Sequence, residues 1–387
     1  MRMRRASAAL AGLLLAGVAA APAHAESIRS MQWHLDSMQA EEIWQTSRGR
    51  GVTVAVIDTG VGELPELAGQ VLPGKDFARA SGDERDDYRG HGTGIAALIA
   101  GTGKSTGGDG SYGLAPEAKI LPLRVSEGGA GEGLHQSTAE AIRFAADSDA
   151  KVLNISFGGI GASDTLDAAV KYAVDKGKLI FAAVGNEGET TNEVIYPAAS
   201  PGVVGVAAVD RKADATSESQ HGAQVDLAAP GTDIVTACLG KTGLCKTHGT
   251  SDATALASAS AALIWAEHPD WTNNQVLRVM LNTAGKPRDG VGRNDYVGHG
   301  VVRPRIALTR PGDPGPADEF PLPELAAAQP GGTPSPAGGS AAPAAPGPVT
   351  EAPADDRTGL YLALGAGAAV LLGAAVAVAV VRSRRNT

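Results

Sequence analysis

Short apolar runs alternate with amphipathic segments through the middle of the chain. Residues 52–57 form a β-branched run that ends at Asp58. Four more apolar runs of strand length follow it, at residues 120–125, 152–156, 179–184 and 203–209, and two amphipathic helical segments lie among them, at residues 137–148 and 165–176. Strands that are apolar on both faces and separated by helices are typical of a parallel sheet covered on both sides. The pattern therefore predicts an α/β fold, with functional groups at the carboxyl ends of the strands.

A basic start followed by an apolar run marks the first residues. Arginines at positions 2, 4 and 5 precede an apolar run at residues 8–21, and the sequence AHA occupies positions 23–25. This order is typical of a secretion signal that ends in a small-residue cleavage site. We predict that residues 1–25 are a signal peptide, because a helix buried in the domain would not need these flanks.

A second apolar run lies near the carboxyl end. Residues 360–381 carry no charged side chain, and arginines at positions 382, 384 and 385 follow them. A helix needs about 20 apolar residues to span a bilayer, and arginines stay on the cytoplasmic side. We predict a transmembrane helix at residues 359–381 and a cytoplasmic basic tail at residues 382–387. The main domain would then lie on the extracytoplasmic side of the cell membrane.

Composition divides the rest of the chain in two. Residues 26–310 have the mixed composition of a folded domain, whereas residues 311–358 are rich in Pro, Ala and Gly. A segment with few large apolar side chains cannot bury enough surface to fold. We therefore predict a flexible linker at residues 311–358, between the domain and the transmembrane helix.

Charge and cysteine content narrow the functions to consider. The formal net charge of −9 argues against a nucleic-acid partner, which would require a basic face. The chain has two cysteines, Cys238 and Cys245, and in an exported protein such a pair predicts a disulfide, with two free thiols as the alternative. No Cys/His spacing indicates zinc, so we predict no metal and no cofactor.

Three glycine-rich turns carry side chains suited to acid–base and nucleophilic chemistry. Asp58 ends a strand predicted to be buried, where a carboxylate needs a partner such as a histidine. His91 lies between glycines at the start of a predicted helix, and Ser251 precedes a predicted helix at residues 252–265, whose N–H groups would stabilise an oxyanion. Each residue alone has an ordinary explanation, as a turn-capping Asp, a loop His or an N-cap Ser.

The three turns together resemble a known family. The segments VAVIDTGV, GHGTGIA and GTSDATA are similar to those of the subtilase family of serine peptidases, which has Asp, His and Ser in this order. Residues 153–159 and 182–188 resemble two further segments of the family, and the similarity runs in order through residues 33–308. The resemblance implies a subtilisin-like three-layer fold, with a central, mostly parallel sheet flanked by helices.

The resemblance also implies the chemistry. Ser251 would attack the scissile carbonyl of a peptide, and His91 would accept the Ser251 proton and pass it to the leaving amine. Asp58 would orient His91 and stabilise its protonated form. The implied activity is that of a serine endopeptidase that works through an acyl-enzyme.

Further matching residues acquire implied binding roles. The Asn186 side chain would hold the oxyanion, together with the backbone N–H of the nucleophile. Ser156, Phe157 and Gly158 would pair with extended substrate through main-chain hydrogen bonds. Residues 128–131 would line the opposite edge of the same cleft.

The order of the segments narrows the resemblance. A signal peptide, one peptidase domain, a Pro-rich linker and a carboxyl-terminal membrane helix are similar to the mycosins, which are membrane-anchored subtilases associated with type VII secretion. This resemblance implies protein or peptide substrates, a membrane location through a single helix and an association with a type VII secretion complex. Calcium is common among subtilases, but no loop here has the spacing of an EF-hand site.

Two positions depart from the family pattern. Asp252 stands where the family usually has an apolar residue, often Met, and Ala255 stands where it has Pro. These departures keep open a second interpretation: a subtilase-fold structural subunit of a secretion complex with weak or no proteolytic activity.

Two further hypotheses concern the surroundings of the site. The small residues at 182–185 favour a pocket for apolar P1 side chains of the substrate. The loop before His91 is interpreted as solvated, with cation binding as the alternative, and it carries four acidic residues: Asp83, Glu84, Asp86 and Asp87.

Overall fold

The computed structural model describes residues 27–105, 108–125 and 132–322. Several predicted segments lie outside these residues: 1–25, 128–131, 323–358, 359–381 and 382–387. Within the described residues, no helix is both long and apolar enough to cross a membrane. The signal peptide, the transmembrane helix and the cytoplasmic tail therefore stay predictions.

A parallel sheet is built from the predicted apolar runs and two further strands. In chain order, the strands of the described residues are β1 (Thr53–Asp58), β2 (Lys75–Asp76), β3 (Lys119–Arg124), β4 (Val152–Ile155), β5 (Gly159–Ile160), β6 (Leu179–Ala183), β7 (Ile195–Tyr196), β8 (Val203–Val209), β9 (Leu227–Pro230), β10 (Ile234–Ala237) and β11 (Leu244–Thr247). Seven of them form one sheet in the order β2-β3-β1-β4-β6-β8-β9, and every neighbouring pair in that sheet is parallel. The remaining four form two-stranded antiparallel pairs, β5 with β7 and β10 with β11.

Helices cover both faces of this sheet. In chain order, they are α1 (Ile28–Met31), α2 (Trp33–Ser37), α3 (Ala40–Thr46), a 3₁₀ turn (Pro65–Leu67), α4 (His91–Ala100), α5 (Glu132–Ala146), α6 (Asp164–Asp175), α7 (Thr250–Glu267), α8 (Asn273–Thr283) and α9 (Pro304–Thr309). Successive residues of β1 point to opposite faces. Val54 and Val56 join the core that contains α4 and α7, whereas Ala55 and Ile57 join the core that contains α5 and α6. The predicted α/β fold with a parallel sheet between helical layers is confirmed.

Some predicted boundaries shift by a residue or more. β1 begins at Thr53 rather than at residue 52 and ends at Asp58 as expected, and in the parallel register Asp58 lies beside Arg124 of β3. β2 has only two residues, too few to show a periodic pattern, and it was not predicted. The end of β1 at Asp58 places the Asp58 carboxylate at the carboxyl edge of the sheet.

The folded body continues past residue 310, so the predicted start of the linker is corrected. Phe320 is 6% exposed and Leu322 is fully buried, and both belong to the same core as α8 and α9. The Arg278 guanidinium of α8 donates hydrogen bonds to the carbonyl oxygens of Pro314 and Pro316. This Pro- and Gly-rich stretch therefore packs on the domain through two buried apolar side chains, and its carbonyl groups accept hydrogen bonds from a helix side chain.

The residues ahead of β1 pack on the domain through α1, α2 and α3. Leu35 and Ile43 are buried in the core. Gln32 lies between α1 and α2 and is fully buried; it accepts the Tyr112 N–H at 2.9 Å and donates to the carbonyl oxygens of Tyr112 at 2.8 Å and Val235 at 3.2 Å. Tyr112 follows α4 and Val235 lies in β10, so one amide joins two separate parts of the domain.

A disulfide joins Cys238 and Cys245, with the two Cα atoms 5.8 Å apart. The predicted disulfide is therefore confirmed. Cys238 follows β10 directly and Cys245 lies in β11, so the bond closes this hairpin. Leu239 at the hairpin lies beside Gly90, where an added Cβ would be 3.7 Å from the Leu239 Cβ. The hairpin thus flanks the start of α4.

Candidate active site

The three predicted segments converge at the carboxyl edge of the sheet. Asp58 is the last residue of β1, His91 is the first residue of α4, and α7 begins one residue before Ser251. A glycine precedes each helix, Gly90 with a φ of 76° and Gly249 with a φ of 122°. Glycine adopts such positive φ values without the steric penalty that a Cβ brings. The glycine-rich turns therefore allow each helix to begin directly at the site.

Asp58 and His91 form a hydrogen-bonded pair. The His91 Nδ1 atom lies 2.7 Å from Oδ1 of Asp58, which also accepts the Thr59 N–H at 2.8 Å. The Asp58 side chain is fully buried, whereas the His91 side chain is 42% exposed. Since the ionised carboxylate only accepts hydrogen bonds, we assign the proton to Nδ1, which leaves Nε2 as the basic nitrogen of His91.

The charge of Asp58 is the main reason why the pKa of His91 is raised to about 9. Burial of the imidazole lowers this pKa, while its hydrogen bond to Asp58 and the charges of Asp252 and Asp87 raise it. A general base acts in its neutral form. The basic form of His91 therefore becomes dominant only in alkaline solution.

The Ser251 hydroxyl donates a hydrogen bond to the Ser156 carbonyl oxygen at 2.7 Å. Within the described part of the chain, no hydrogen bond joins Ser251 to His91. The structure thus places Asp58 and His91 together and leaves the hydroxyl of Ser251 on a neighbouring carbonyl. The hydroxyl proton must turn away from this carbonyl before it can be donated to another acceptor.

The helix that carries Ser251 begins earlier than predicted. The sequence predicted a helix at residues 252–265 with Ser251 on the preceding turn, whereas α7 begins at Thr250 and Gly249 is the N-cap residue. The explanation of Ser251 as an ordinary N-cap serine is therefore wrong. Its backbone N–H belongs to the first turn, where N–H groups lack acceptors inside the helix.

Asn186 is oriented by the same helix. Its Oδ1 atom accepts hydrogen bonds from the Thr250 N–H at 2.8 Å and from the Thr250 hydroxyl at 3.0 Å. Because a backbone N–H can only donate, the oxygen of the Asn186 amide must face Thr250. The Nδ2 group is then directed past Gly249, where an added Cβ would lie 2.9 Å from it. An amide donor thus lies at the start of α7.

A buried chain of polar side chains lies beneath Ser251, and the sequence did not predict it. The Ser258 hydroxyl donates to Oδ1 of Asn154 at 2.9 Å, and the Asn154 amide donates to the Ser156 hydroxyl at 2.8 Å. All three residues are buried. The motif around Asn154 was visible in the sequence, but its link to the third turn of α7 requires the fold.

Two adjoining cavities form a groove across the site. One of 510 Å³ is lined in part by Ser251, and one of 250 Å³ is lined in part by His91. Both cavities share Leu134, Phe157 and Gly158 as lining residues. Two of the predicted substrate-binding residues therefore lie between the serine and the histidine.

The larger cavity is less apolar than predicted. Ala183 and Gly185 line it, in agreement with the small residues expected there, and Ile195 adds an apolar wall. Glu187 and Glu193 line the same cavity and bring two carboxylates to it. The pocket next to the serine therefore combines an apolar floor with acidic groups.

Asp252 is buried in the first turn of α7, with 4% of its surface exposed. Burial raises its pKa to about 6, although a hydrogen bond with Thr247 and the charges of His91 and His248 oppose this shift. Its Oδ2 atom has no hydrogen-bond partner among the described residues. The sequence predicted a first-turn position for Asp252 but not its burial.

Replacing Asp252 with Asn is expected to remove a pH-dependent loss of stability. The folded-state pKa of about 6 exceeds the ordinary value of 3.8, so the stabilising contribution is complete below pH 4 and disappears as the pH rises through 6. The loss amounts to about 3 kcal/mol. Urea unfolding at pH 4 to 8, with Ser251→Ala in both proteins to prevent autolysis, measures the difference.

The control for that measurement is Asp164→Asn. Asp164 lies in the first turn of α6, as Asp252 does in α7, but it is exposed. Its replacement should leave the pH dependence of unfolding unchanged. An Asp252→Asn protein with the same pH dependence as its parent would contradict the expectation.

The acidic loop before His91 is not wholly solvated. Asp87 is only 7% exposed, so this part of the sequence interpretation is corrected. Among the residues that the structure describes, no group of three or more His, Cys, Asp or Glu side chains could hold a metal ion.

Comparison with known proteins places this geometry in a family. Residues 49–300 match the profile of the subtilase family, Peptidase S8. Subtilisin Savinase from Lederbergia lenta is 33% identical over 280 residues, which cover 72% of this chain and 99% of that protein. Thermitase from Thermoactinomyces vulgaris is 36% identical over 261 residues, which cover 66% of this chain and 89% of that protein.

Solved structures show the same relationship. MycP1 from Mycobacterium smegmatis superposes with a TM-score of 0.66 and 31% identity, covering 77% of this chain and 89% of MycP1. The MycP3 protease from the type VII (ESX-3) secretion system superposes with a TM-score of 0.64 and 32% identity, covering 75% of this chain and 90% of MycP3. From its site geometry and from these similarities, the chain belongs to the subtilase family of subtilisin-like serine proteases.

Proposed function

We propose that this subtilase cleaves peptide bonds through an acyl-enzyme, with Ser251 as nucleophile, His91 as general base and Asp58 as the group that orients His91. The observation that supports this most is the 2.7 Å contact between the His91 Nδ1 and the Asp58 carboxylate. It fixes the tautomer in which Nε2 accepts a proton. Asp58 also stabilises the imidazolium that forms when Nε2 of His91 accepts this proton.

The proposed reaction begins with rotation of the Ser251 hydroxyl away from the Ser156 carbonyl. His91 Nε2 then accepts the hydroxyl proton as Oγ attacks the scissile carbonyl carbon, and the proton passes to the leaving amine. The acyl group remains on Ser251 until water, deprotonated by His91, hydrolyses the ester. The proton taken from water then passes from His91 to Oγ of Ser251 as the ester bond breaks, so one complete cycle returns both residues to their starting protonation states.

The oxyanion of the tetrahedral intermediate would lie between the Asn186 amide and the Ser251 backbone N–H. Replacing Asn186 with Ala is expected to lower kcat by about 10²–10³-fold, with a much smaller change in KM, because the amide acts on charge that develops in the transition state. Steady-state hydrolysis of a peptide substrate measures both constants. A large rise in KM at constant kcat would instead indicate that Asn186 binds the ground state.

Protein or peptide substrates fit the groove between the two cavities. An extended peptide would pair with the main chain of Phe157 and Gly158, as in strand addition. Its P1 side chain would enter the cavity next to Ser251. The apolar residues there favour apolar P1 side chains, while Glu187 and Glu193 favour a basic group at the tip.

We further propose a membrane-anchored location in a type VII secretion context. The structural similarity to MycP1 and MycP3 supports the secretion context, since MycP3 is a protease from such a system. The predicted signal peptide and the predicted helix at residues 359–381 support anchoring, with the peptidase domain outside the cell. External protease added to intact cells should digest the domain and spare the carboxyl-terminal tail.

A fluorophosphonate probe on the full chain in detergent tests the proposed function. The wild-type protein should be labelled at Ser251, as located by peptide mass spectrometry, and Ser251→Ala should not be labelled. Equal labelling of both proteins would refute proteolysis by this site. The result would then support a subtilase-fold structural subunit, which the Ser251–Ser156 hydrogen bond and the buried Asp252 carboxylate favour.

A further inference from the structure

Asp87 is a buried carboxylate whose first oxygen accepts three hydrogen bonds. The donors to Oδ1 are the Thr59 hydroxyl at 2.7 Å, the Gly90 N–H at 2.8 Å and the Arg89 N–H at 3.2 Å. Thr59 directly follows Asp58, and Gly90 directly precedes His91. One oxygen atom therefore contacts the chain on both sides of the Asp58–His91 pair.

The second oxygen of Asp87 contacts the first turn of α4. Oδ2 accepts the Thr93 N–H at 2.8 Å and the Thr93 hydroxyl at 2.6 Å. The Thr59 hydroxyl in turn accepts the Gly92 N–H at 2.9 Å, and the Thr93 hydroxyl accepts the Gly62 N–H at 2.8 Å. The network thus runs from the loop after β1, through Asp87, to the residues on both sides of His91.

This network replaces a missing helix cap. The N-cap position of α4 is Gly90, which has no side chain to accept the N–H groups of the first turn. Asp87 and Thr59 accept these N–H groups from outside the helix, and the negative charge at a helix N-terminus is favourable. Without Asp87, the first turn of α4 would have buried donors with no acceptor, which is costly.

We infer that Asp87 is a positioning residue for the proposed reaction, which holds the start of α4 against the loop after β1 and thereby holds His91 against Asp58. The inference rests on the proposed function for its effect on catalysis. Asp87 itself does not line either cavity of the groove as the structure describes them. Its effect therefore passes through His91.

The test compares Asp87→Asn with the wild-type chain in detergent. Asn keeps the size of the side chain, but it places an N–H₂ group where an oxygen accepts hydrogen bonds, and it removes the charge. We expect kcat to fall by about 10²-fold, as small displacements of catalytic groups do, while KM changes far less. The rising limb of kcat/KM against pH should also move to lower pH, because the charge of Asp87 helps to raise the pKa of His91.

The matched control is Asp226→Asn. Asp226 is another buried carboxylate, 3% exposed, and it accepts the Gly205 N–H at 2.8 Å. It precedes β9 at the amino edge of the sheet, away from the site. This variant should lower the melting temperature and leave kcat and the pH profile unchanged. An Asp87→Asn protein that behaves in the same way would overturn the inference.

A second variant and a second readout cover the other outcomes. If Asp87→Asn does not fold, Thr59→Val removes the hydroxyl that joins Asp87 to Gly92 while keeping the shape of the side chain, and it should also lower kcat. NMR of histidine-labelled protein should show a lower pKa for His91 and faster exchange of its Nδ1 proton in the variant. Unchanged His91 signals in the variant would overturn the inference about Asp87, whether or not the wild type hydrolyses peptides. A wild-type protein that hydrolyses no peptide would instead refute the proposed function.

Discussion

Replacing Ser251 with Ala is expected to lower kcat for peptide hydrolysis by on the order of 10⁶-fold. The variant lacks the oxygen that forms the ester, and no neighbouring hydroxyl can take its place. The Thr250 hydroxyl donates to Oδ1 of Asn186, and the Ser156 hydroxyl accepts the Asn154 amide in the buried polar chain. Residual activity would come only from water attack supported by the oxyanion donors.

Single-turnover hydrolysis with excess enzyme measures so large a loss. Ser260→Ala is the control: Ser260 is a buried serine of the same helix, and its hydroxyl donates to the Leu256 carbonyl at 2.7 Å. That variant should keep its kcat, since the hydrogen bond lies within α7 and away from the groove. A Ser251→Ala protein with near wild-type kcat would exclude Ser251 as the nucleophile.

Replacing Asp58 with Asn is expected to lower kcat by about 10⁴-fold. An amide at this position can donate to the histidine ring, which favours the tautomer with its proton on Nε2. His91 could then no longer accept the Ser251 proton. The variant should also lose the electrostatic stabilisation of the imidazolium, because the amide carries no charge.

The pH profile distinguishes this effect from a loss of folding. In the wild type, kcat/KM should rise with pH as His91 loses its proton, with a midpoint near its pKa of about 9. Asp58→Asn removes the main cause of that raised pKa, so the rising limb should move down towards the ordinary value of 6.5. A profile with an unchanged midpoint would contradict the role of Asp58, and circular dichroism checks that the variant is folded.

The sheet could be predicted from the sequence because its strands are buried on both faces. Such strands are continuous β-branched or apolar runs, and residues 203–209 were predicted with the same limits as β8. β2 was not predicted because it has only two residues, and β9 was not predicted because its sequence LAAP contains no β-branched residue. The packing of the segment that contains Phe320 was also missed. It depends on hydrogen bonds that Arg278 of α8 donates to the carbonyl oxygens of Pro314 and Pro316.

The candidate site was partly predictable for a similar reason. Asp58 and His91 lie on turns with a strong glycine pattern, and the structure brings them within hydrogen-bonding distance. The hydrogen bond of Ser251 to the Ser156 carbonyl and the burial of Asp87 depend on contacts between segments far apart in sequence. Periodicity and composition do not indicate which carbonyl oxygen a hydroxyl will hydrogen-bond to, or which carboxylate will be buried.

The hydrogen bonds of the buried Gln32 amide bear on the resistance of a protease to digestion by other copies of itself. Cleavage requires a stretch of chain to leave its hydrogen bonds and extend into another molecule's groove, so the segments that open most easily are digested first. The segment ahead of β1 would otherwise be such a target. Because Gln32 joins it to Tyr112 and Val235, detachment would disturb the chain after α4 and the hairpin before α7. Self-digestion there is thus opposed by contacts with two parts of the domain that are far apart in sequence.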